Sequence, residues 1–304
     1  MKLNARMVAL LTLPPLLWAG NAVVGRLMVG SVPPLALNAL RWAIAGLLLL
    51  PLGWRLVRER QARQEVARRW RELALLSFLG VGCYNALQYL ALTTSTPLNV
   101  TLIAASSPLW MMGIGALFYG VRPHGREWLG AALSLSGVLV VLSRGDGAAL
   151  ARVHFVAGDV LMLAAAASWA FYSWLLARPP ASMRGSARPD WNWAELLLVQ
   201  TLMGGAFAGV AAGAEAAITG DSVHWTPAVL LALAYVAIGP SLIAYRCWGL
   251  GVTAVGPAVA AFFANLTPLF AALLSAALLG EAPQAYHGLA FALIVAGIAA
   301  STRR

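Results

Sequence analysis

Charge is scarce in this chain. Of its 304 residues only 11% are Asp, Glu, Lys or Arg, against 61% hydrophobic, and the mean hydropathy is +0.77. A domain folded in water carries about 25% charged residues, so this composition excludes disorder and cannot cover a water-facing surface. Lysine is nearly missing, with Lys2 the only one. Without a Gly-Lys-Ser/Thr step there is no Walker phosphate loop, and no interior lysine can form a Schiff base. Direct ATP hydrolysis is thereby removed. Cys83 and Cys247 form no CxxC pair and read as buried, reduced thiols, because a free cysteine behaves as a small hydrophobe. His124, His154, His224 and His287 are isolated, with no paired-ligand spacing. No metal or cofactor is expected.

What is abundant is apolar length. Runs fall at about 7–29, 34–54, 73–92, 98–119, 125–143, 157–177, 193–215, 226–248, 256–279 and 284–301. Each approaches the roughly 20 residues that an α-helix needs to cross a ~30 Å hydrocarbon core. Breaks at Pro33-Pro34, Pro97, Pro123, Pro179-Pro180, Pro227, Pro257 and Pro283 separate them, since proline starts helices readily and continues them badly. The fold class expected is an all-α polytopic membrane protein with ten transmembrane helices. The first run continues past Trp18-Ala19-Gly20, where a signal peptide would be cut, and is read as a span.

The formal charge of +10 suggests polyanion binding until its distribution is examined. With a cytoplasmic N-terminus, Lys2, Arg6, Arg55, Arg58, Arg60, Arg63, Arg68, Arg69, Arg71, Arg122, Arg126, Arg178, Arg184, Arg188, Arg303 and Arg304 fall on one side, sixteen of the 21 basic residues. Arg144 and Arg152 fall opposite, and Arg26, Arg41 and Arg246 lie inside spans. The positive-inside rule then places both termini in the cytoplasm of a bacterial inner-membrane protein. The stretch from Arg55 to Glu72 reads as a topology-setting loop with an amphipathic turn on anionic lipid headgroups. No nucleic-acid motif accompanies it.

The sequence also matches itself. A shift of 160 places Thr93–Pro97 on Thr253–Pro257, Ser107-Pro108-Leu109 on Thr267-Pro268-Leu269, and Gly120–Pro123 on Gly280–Pro283; a shift of 151 places Leu17-Trp18-Ala19 on Ser168-Trp169-Ala170. The expected units are 1–147 and 148–304, five helices each. An odd number makes the second unit enter the membrane from the other side, and such inverted repeats recur in secondary transporters with a midplane site.

Leu17-Trp18-Ala19-Gly20-Asn21, Leu40-Arg41-Trp42, Tyr89–Pro97, Ala105–Leu109, Asn265–Leu269 and Leu279-Gly280-Glu281 span nearly the whole chain. On these motifs the chain resembles the drug/metabolite transporter superfamily, and within it the ten-helix EamA-type proteins. The aromatic load looks like that of bacterial exporters of aromatic and other neutral amino acids. The resemblance implies a basket in which the first, third, fourth, sixth, eighth and ninth helices surround a central cavity while the fifth and tenth lie to one side. The first unit's turn carries Arg122 and the second's Glu281, a difference that fits one cytoplasmic turn and one opposite.

Helical spacing marks the cavity independently. Pro14, Trp18, Asn21 and Gly25 share a face of the first helix, and Trp169 and Tyr172 repeat the theme in the sixth. Tyr84 and Gln88 share a face with Asn85 adjacent, and Ser241, Tyr245 and Trp248 share another. Amides and phenols are costly against lipid, so these faces turn inward, where rings pack on an amphipathic solute and amides bond its polar ends. Core packing is the competing role for Trp18 and Trp169, and spacing does not separate it from a cavity wall. Ser107, Trp110 and Asn265 complete the candidate set, Trp110 standing equally between cavity and packing. Trp42, Trp54, Trp70, Trp128, Trp191, Trp193 and Trp225 read as interfacial belts.

Pro108 and Pro268 free carbonyls at Ala104 and Ala264 and should kink their helices, either as paired hinges that expose site carbonyls or as structural bends. Gly205, Gly209 and Gly213 read as close packing within the bundle, with dimerisation the lesser reading. Arg41 either snorkels, pairs internally, or meets a substrate carboxylate. Asp159, Glu195 and Glu281 lie near span ends, which favours facilitated movement over a carboxylate proton relay. The expectation is a monomeric exporter of small metabolites, aromatic and other neutral amino acids foremost, working by alternating access, with a small-molecule substrate and membrane lipids as its partners. A drug or other-metabolite exporter of the same fold is the alternative, and a lipid-modifying membrane enzyme the remote one.

Overall fold

The computed structural model describes residues 4–152, 154–279 and 284–302. Among them every regular element is helical. We label the long segments α1 (Ala5–Leu27), α2 (Pro34–Leu49), α3 (Trp70–Ala91), α4 (Pro97–Ala105 and Ser107–Tyr119), α5 (Gly125–Leu142), α6 (Ala157–Ala177), α7 (Trp193–Thr219), α8 (Pro227–Val255), α9 (Pro257–Ala264 and Leu266–Leu279) and α10 (Ala285–Thr302). Among the described residues eight helices are long and apolar enough to cross a membrane, and α4, bent by 41°, makes a ninth when taken as one span. The chain is a multi-pass membrane protein. The remaining segment, α2, has 16 residues; at 1.5 Å per residue that is ~24 Å, short of the ~30 Å core. Helix α8 runs to Val255, seven residues past the boundary read from the sequence.

Helix starts follow local chemistry. Pro34, Pro97, Pro227 and Pro257 each stand in the first turn, where a missing N–H costs nothing. Glu195 and Asn192 close a reciprocal cap on α7, with Asn192 N–H donating to Glu195 Oε2 at 2.7 Å and Glu195 N–H to Asn192 Oδ1 at 3.0 Å. Glu215, on α7, accepts the backbone N–H groups of Leu35 and Ala36 at 3.0 and 2.9 Å and so caps α2.

Two interruptions were absent from the sequence reading. Helix α3 contains a π-helical turn at Phe78–Cys83, and α8 contains one at Ala237–Ile243. They fall at matching places under the 160-residue shift. Gly80 and Gly82 in one, Gly239 and Pro240 in the other, supply the backbone freedom and the missing donor that let an extra residue enter the turn. The proline breaks do appear: α4 is broken at Ser106 and α9 at Asn265, but only α4 bends sharply.

Helices α5 and α10 pack closely against each other. A Cβ added at Gly130 would lie 2.8 Å from Gly297 O, and one at Gly137 2.8 Å from Ala290 O. Helix α7 packs against α2 and α3; at Gly204 an added Cβ would meet Val81 and Ser77 O of α3. The expected glycine face is corrected in part: a Cβ at Gly205 would lie 3.8 Å from Trp42 of α2, an ordinary contact, one at Gly209 or Gly213 would meet no described neighbour within 4 Å, and Gly204 is the close-packing position.

The arginine-rich segment forms two short helices, Trp54–Arg58 and Arg60–Arg68. Arg69 ties it to the connection between α6 and α7 by donating to Ser182 O and Ala187 O, both at 2.7 Å, and Ser182 Oγ donates to Glu72 Oε1 at 2.9 Å. Lys2, Arg303 and Arg304, and the turn from Gly280 to Pro283 with Glu281, lie outside the described residues.

Candidate functional site: an aromatic cluster at the centre of the bundle

Residues predicted from separate stripes converge on one side chain. Trp169 of α6 has ring centroids 5.4 Å from Trp18 of α1, 5.3 Å from Tyr84 of α3, 5.2 Å from Tyr172, and 5.6 and 5.4 Å from Tyr245 and Trp248 of α8. Edge-to-face and tilted pairs at this spacing match the ring quadrupole preference and add ~0.5–1.5 kcal/mol each beyond burial. Helices α1 and α6 reach the cluster near their middles, with Trp18 the fourteenth residue of α1 and Trp169 the thirteenth of α6, while Tyr84 of α3 and Tyr245 and Trp248 of α8 lie beyond the midpoints of theirs.

The polar tips are satisfied by the broken turns. Tyr245 OH donates to Gly80 O at 2.6 Å and Ser168 Oγ to Leu79 O at 2.7 Å, both in the π turn of α3. Trp18 Nε1 donates to Pro240 O at 3.3 Å in the π turn of α8. Trp248 Nε1 donates to Ser173 Oγ at 3.0 Å. A π turn leaves carbonyls without their usual i+4 donor, and here aromatic and hydroxyl donors from neighbouring helices fill them. Gly80 is required by this contact, since a Cβ there would enter the Tyr172 ring.

Asn85 of α3 is buried. Asn21 and Gln88 are half-buried, and Trp110 is half-buried against the main core. Two expected members are displaced. Ser107 turns its hydroxyl back onto Ala104 O at 2.5 Å, which closes the carbonyl that Pro108 was expected to expose. Asn265 donates from Nδ2 to Ser134 Oγ of α5 at 2.9 Å, away from the aromatic cluster. A helix break resets the angular phase, so the face assigned from spacing does not carry across it.

Sequence reasoning also misplaced Trp42. Read as an interfacial belt residue, it is fully buried and meets Tyr245 edge-on at 5.0 Å. Its signal was the neighbouring Arg41, which has no place at a lipid-facing surface. Trp54, Trp70, Trp128 and Trp225 are more than half exposed and suit the belt reading.

A cavity of about 270 Å³ opens at one end of the bundle, between the ends of α4, α6 and α8 and the start of α9, lined by Met112, Trp174, Arg178, Val252 and Pro257 among others. Trp174 Nε1 donates to Met111 O at 2.8 Å and fixes one wall. The carboxylates within described spans stand at helix ends. Asp159 accepts from Ser95, from Asn99 Nδ2 at 2.8 Å and from Val156 N–H at 2.8 Å, and Glu195 lies 3.4 Å from Arg55.

A multi-pass helical bundle with broken central helices and an aromatic interior defines a membrane transporter. The chain belongs to the EamA-like transporter family, whose profile matches it over residues 5–143 and 156–303. It is 25% identical over 305 residues to an uncharacterized transporter of Archaeoglobus fulgidus, covering 99% of each chain. It is 28% identical to the uncharacterized inner membrane transporter YedA of Escherichia coli, covering 92% of this chain and 85% of YedA. It is 26% identical to the aromatic amino acid exporter YddG of Ancylobacter novellus, covering 94% and 93%. A solved crystal structure superposes with a TM-score of 0.75 at 24% identity, covering 98% of this chain and 96% of the other, and shares the fold.

Proposed function

We propose that this transporter exports aromatic and other neutral amino acids across the bacterial inner membrane by alternating access. The observation that carries the reading is the Trp169-centred cluster, in which four helices bring six aromatic rings together at mid-bundle. Trp18, Tyr84, Trp169, Tyr172, Tyr245 and Trp248 form the wall that accepts a ring or apolar side chain. Asn21, Asn85 and Gln88 are the amides that take its polar end, and Trp110 flanks them. The cavity beside Trp174 is the cytoplasmic vestibule. The units 1–147 and 148–304 rock about the cluster, with Pro108 and Pro268 as hinges, in a monomer whose termini face the cytoplasm. Because the span carboxylates are held at helix ends, movement follows the substrate gradient.

Proteoliposomes loaded with labelled amino acids, sugars and organic cations test this directly. Efflux of phenylalanine and tryptophan above that of sugars and cations is the expected result. Preference for cations or sugars would replace the amino acid reading by another small-molecule exporter on the same fold.

A further inference from the structure

Helix α2 presents three buried residues on one face at i, i+3 and i+4: Asn38, Arg41 and Trp42, exposed by 1%, 2% and 0%. Arg41 Nε donates to Ser241 Oγ, in the π turn of α8, at 2.9 Å, and that hydroxyl donates onward to Val236 O, just before the turn, at 2.7 Å. Arg41 Nη1, Asn38 Nδ2 and Oδ1, and Trp42 Nε1 are all buried without a hydrogen-bond partner. Among the described residues no carboxylate pairs with Arg41. The guanidinium lies 5.1 Å from the Trp42 ring centroid, and that ring is edge-on to Tyr245 of the aromatic cluster.

An unpaired guanidinium inside a bilayer is costly, and buried polar groups are nearly always satisfied. Three of the four orphan atoms are donors, and one of them carries formal charge. That is the set a carboxylate takes up, with charge-assisted bonds to its two oxygens. We propose that Asn38, Arg41 and Trp42 form a carboxylate subsite, which orients an aromatic amino acid with its ring on the Trp169 cluster and its carboxylate on α2. The subsite deepens, and rests on, the aromatic amino acid reading above. In the conformer described the orphan atoms are shielded, so the carboxylate reaches them when the π turn of α8 moves away from α2.

Binding to the full chain in nanodiscs, read by quenching of intrinsic tryptophan fluorescence, separates the possibilities. The probes are phenylalanine, 3-phenylpropionate, which keeps only the carboxylate, and phenethylamine, which keeps only the ammonium. Arg41→Met should weaken phenylalanine and 3-phenylpropionate at least tenfold and leave phenethylamine unchanged. Asn38→Leu, which retains the cation, should give a smaller loss of the same pattern and serves if Arg41→Met does not fold. Equal losses for all three probes, or no loss for the carboxylates, would overturn the subsite. Arg41-dependent binding of 3-phenylpropionate without phenylalanine keeps the subsite and removes the amino acid reading. Binding of phenethylamine alone removes the subsite and leaves an exporter of aromatic cations. Binding of none of the three overturns both.

Discussion

Trp18 and Trp169 occupy equivalent places under the 151-residue repeat, and their rings meet at 5.4 Å with an interplanar angle of 84°. On the proposed inverted arrangement of the two units, equivalent residues touch only near the pseudo-two-fold axis, so this pair marks where that axis would pass. A solute at this point meets related chemistry from both units, which is the condition for presenting one site alternately to two sides.

Trp169→Ala removes the ring that five others share. Truncation of a buried tryptophan costs ~3–5 kcal/mol, so the thermal midpoint should fall and phenylalanine efflux should drop at least tenfold. Trp128→Ala, at an exposed belt position, should leave efflux within about twofold, since surface substitutions are nearly neutral. Parallel loss in both variants would detach the cluster from transport.

Gly80→Ala forces a methyl group into the Tyr172 ring. Overpacking of this kind costs ~1–3 kcal/mol, and here it also strains the carbonyl that accepts from Tyr245. Gly209→Ala meets no described atom and should be silent. Melting curves of the two variants in detergent provide the comparison.

Pro240→Ala restores a backbone donor inside the π turn of α8 and lets it wind toward an ordinary helix. Turnover should slow by about tenfold, equivalent to ~1.4 kcal/mol of barrier, while equilibrium binding of phenylalanine stays unchanged. A matching loss of binding would assign Pro240 to the site itself.

With the span carboxylates fixed at helix ends, an imposed proton gradient should change net accumulation in proteoliposomes by less than about twofold. Asp159→Asn should cost ~1 kcal/mol of stability through its cap on α6 without altering that insensitivity. Gradient-driven concentration of substrate would refute uncoupled movement.

Most of the aromatic cluster was legible because 3.6-residue spacing and the internal repeat both pointed to the same side chains: Trp18, Trp169, Tyr172, Tyr245 and Trp248 each lay on a predicted inward face. The π turns were not legible, since in runs apolar on nearly every face even the ~100° phase shift of one inserted residue leaves no mark. Asn265 was misassigned for the related reason that a break intervenes before Pro268. For Trp42 the neighbouring Arg41 signalled burial, but its place against Tyr245 is a tertiary contact that spacing within α2 does not encode.

Arg69 grips the connection between α6 and α7 only through main-chain carbonyls, those of Ser182 and Ala187. Such a strap reads the path of the backbone and ignores its side chains. For Arg69's grip the side chains at 182 and 187 are free to vary so long as the backbone keeps its course, although Ser182 also donates its hydroxyl to Glu72 and Met183 is buried in the core; Arg69, holding both carbonyls at once, has no such freedom.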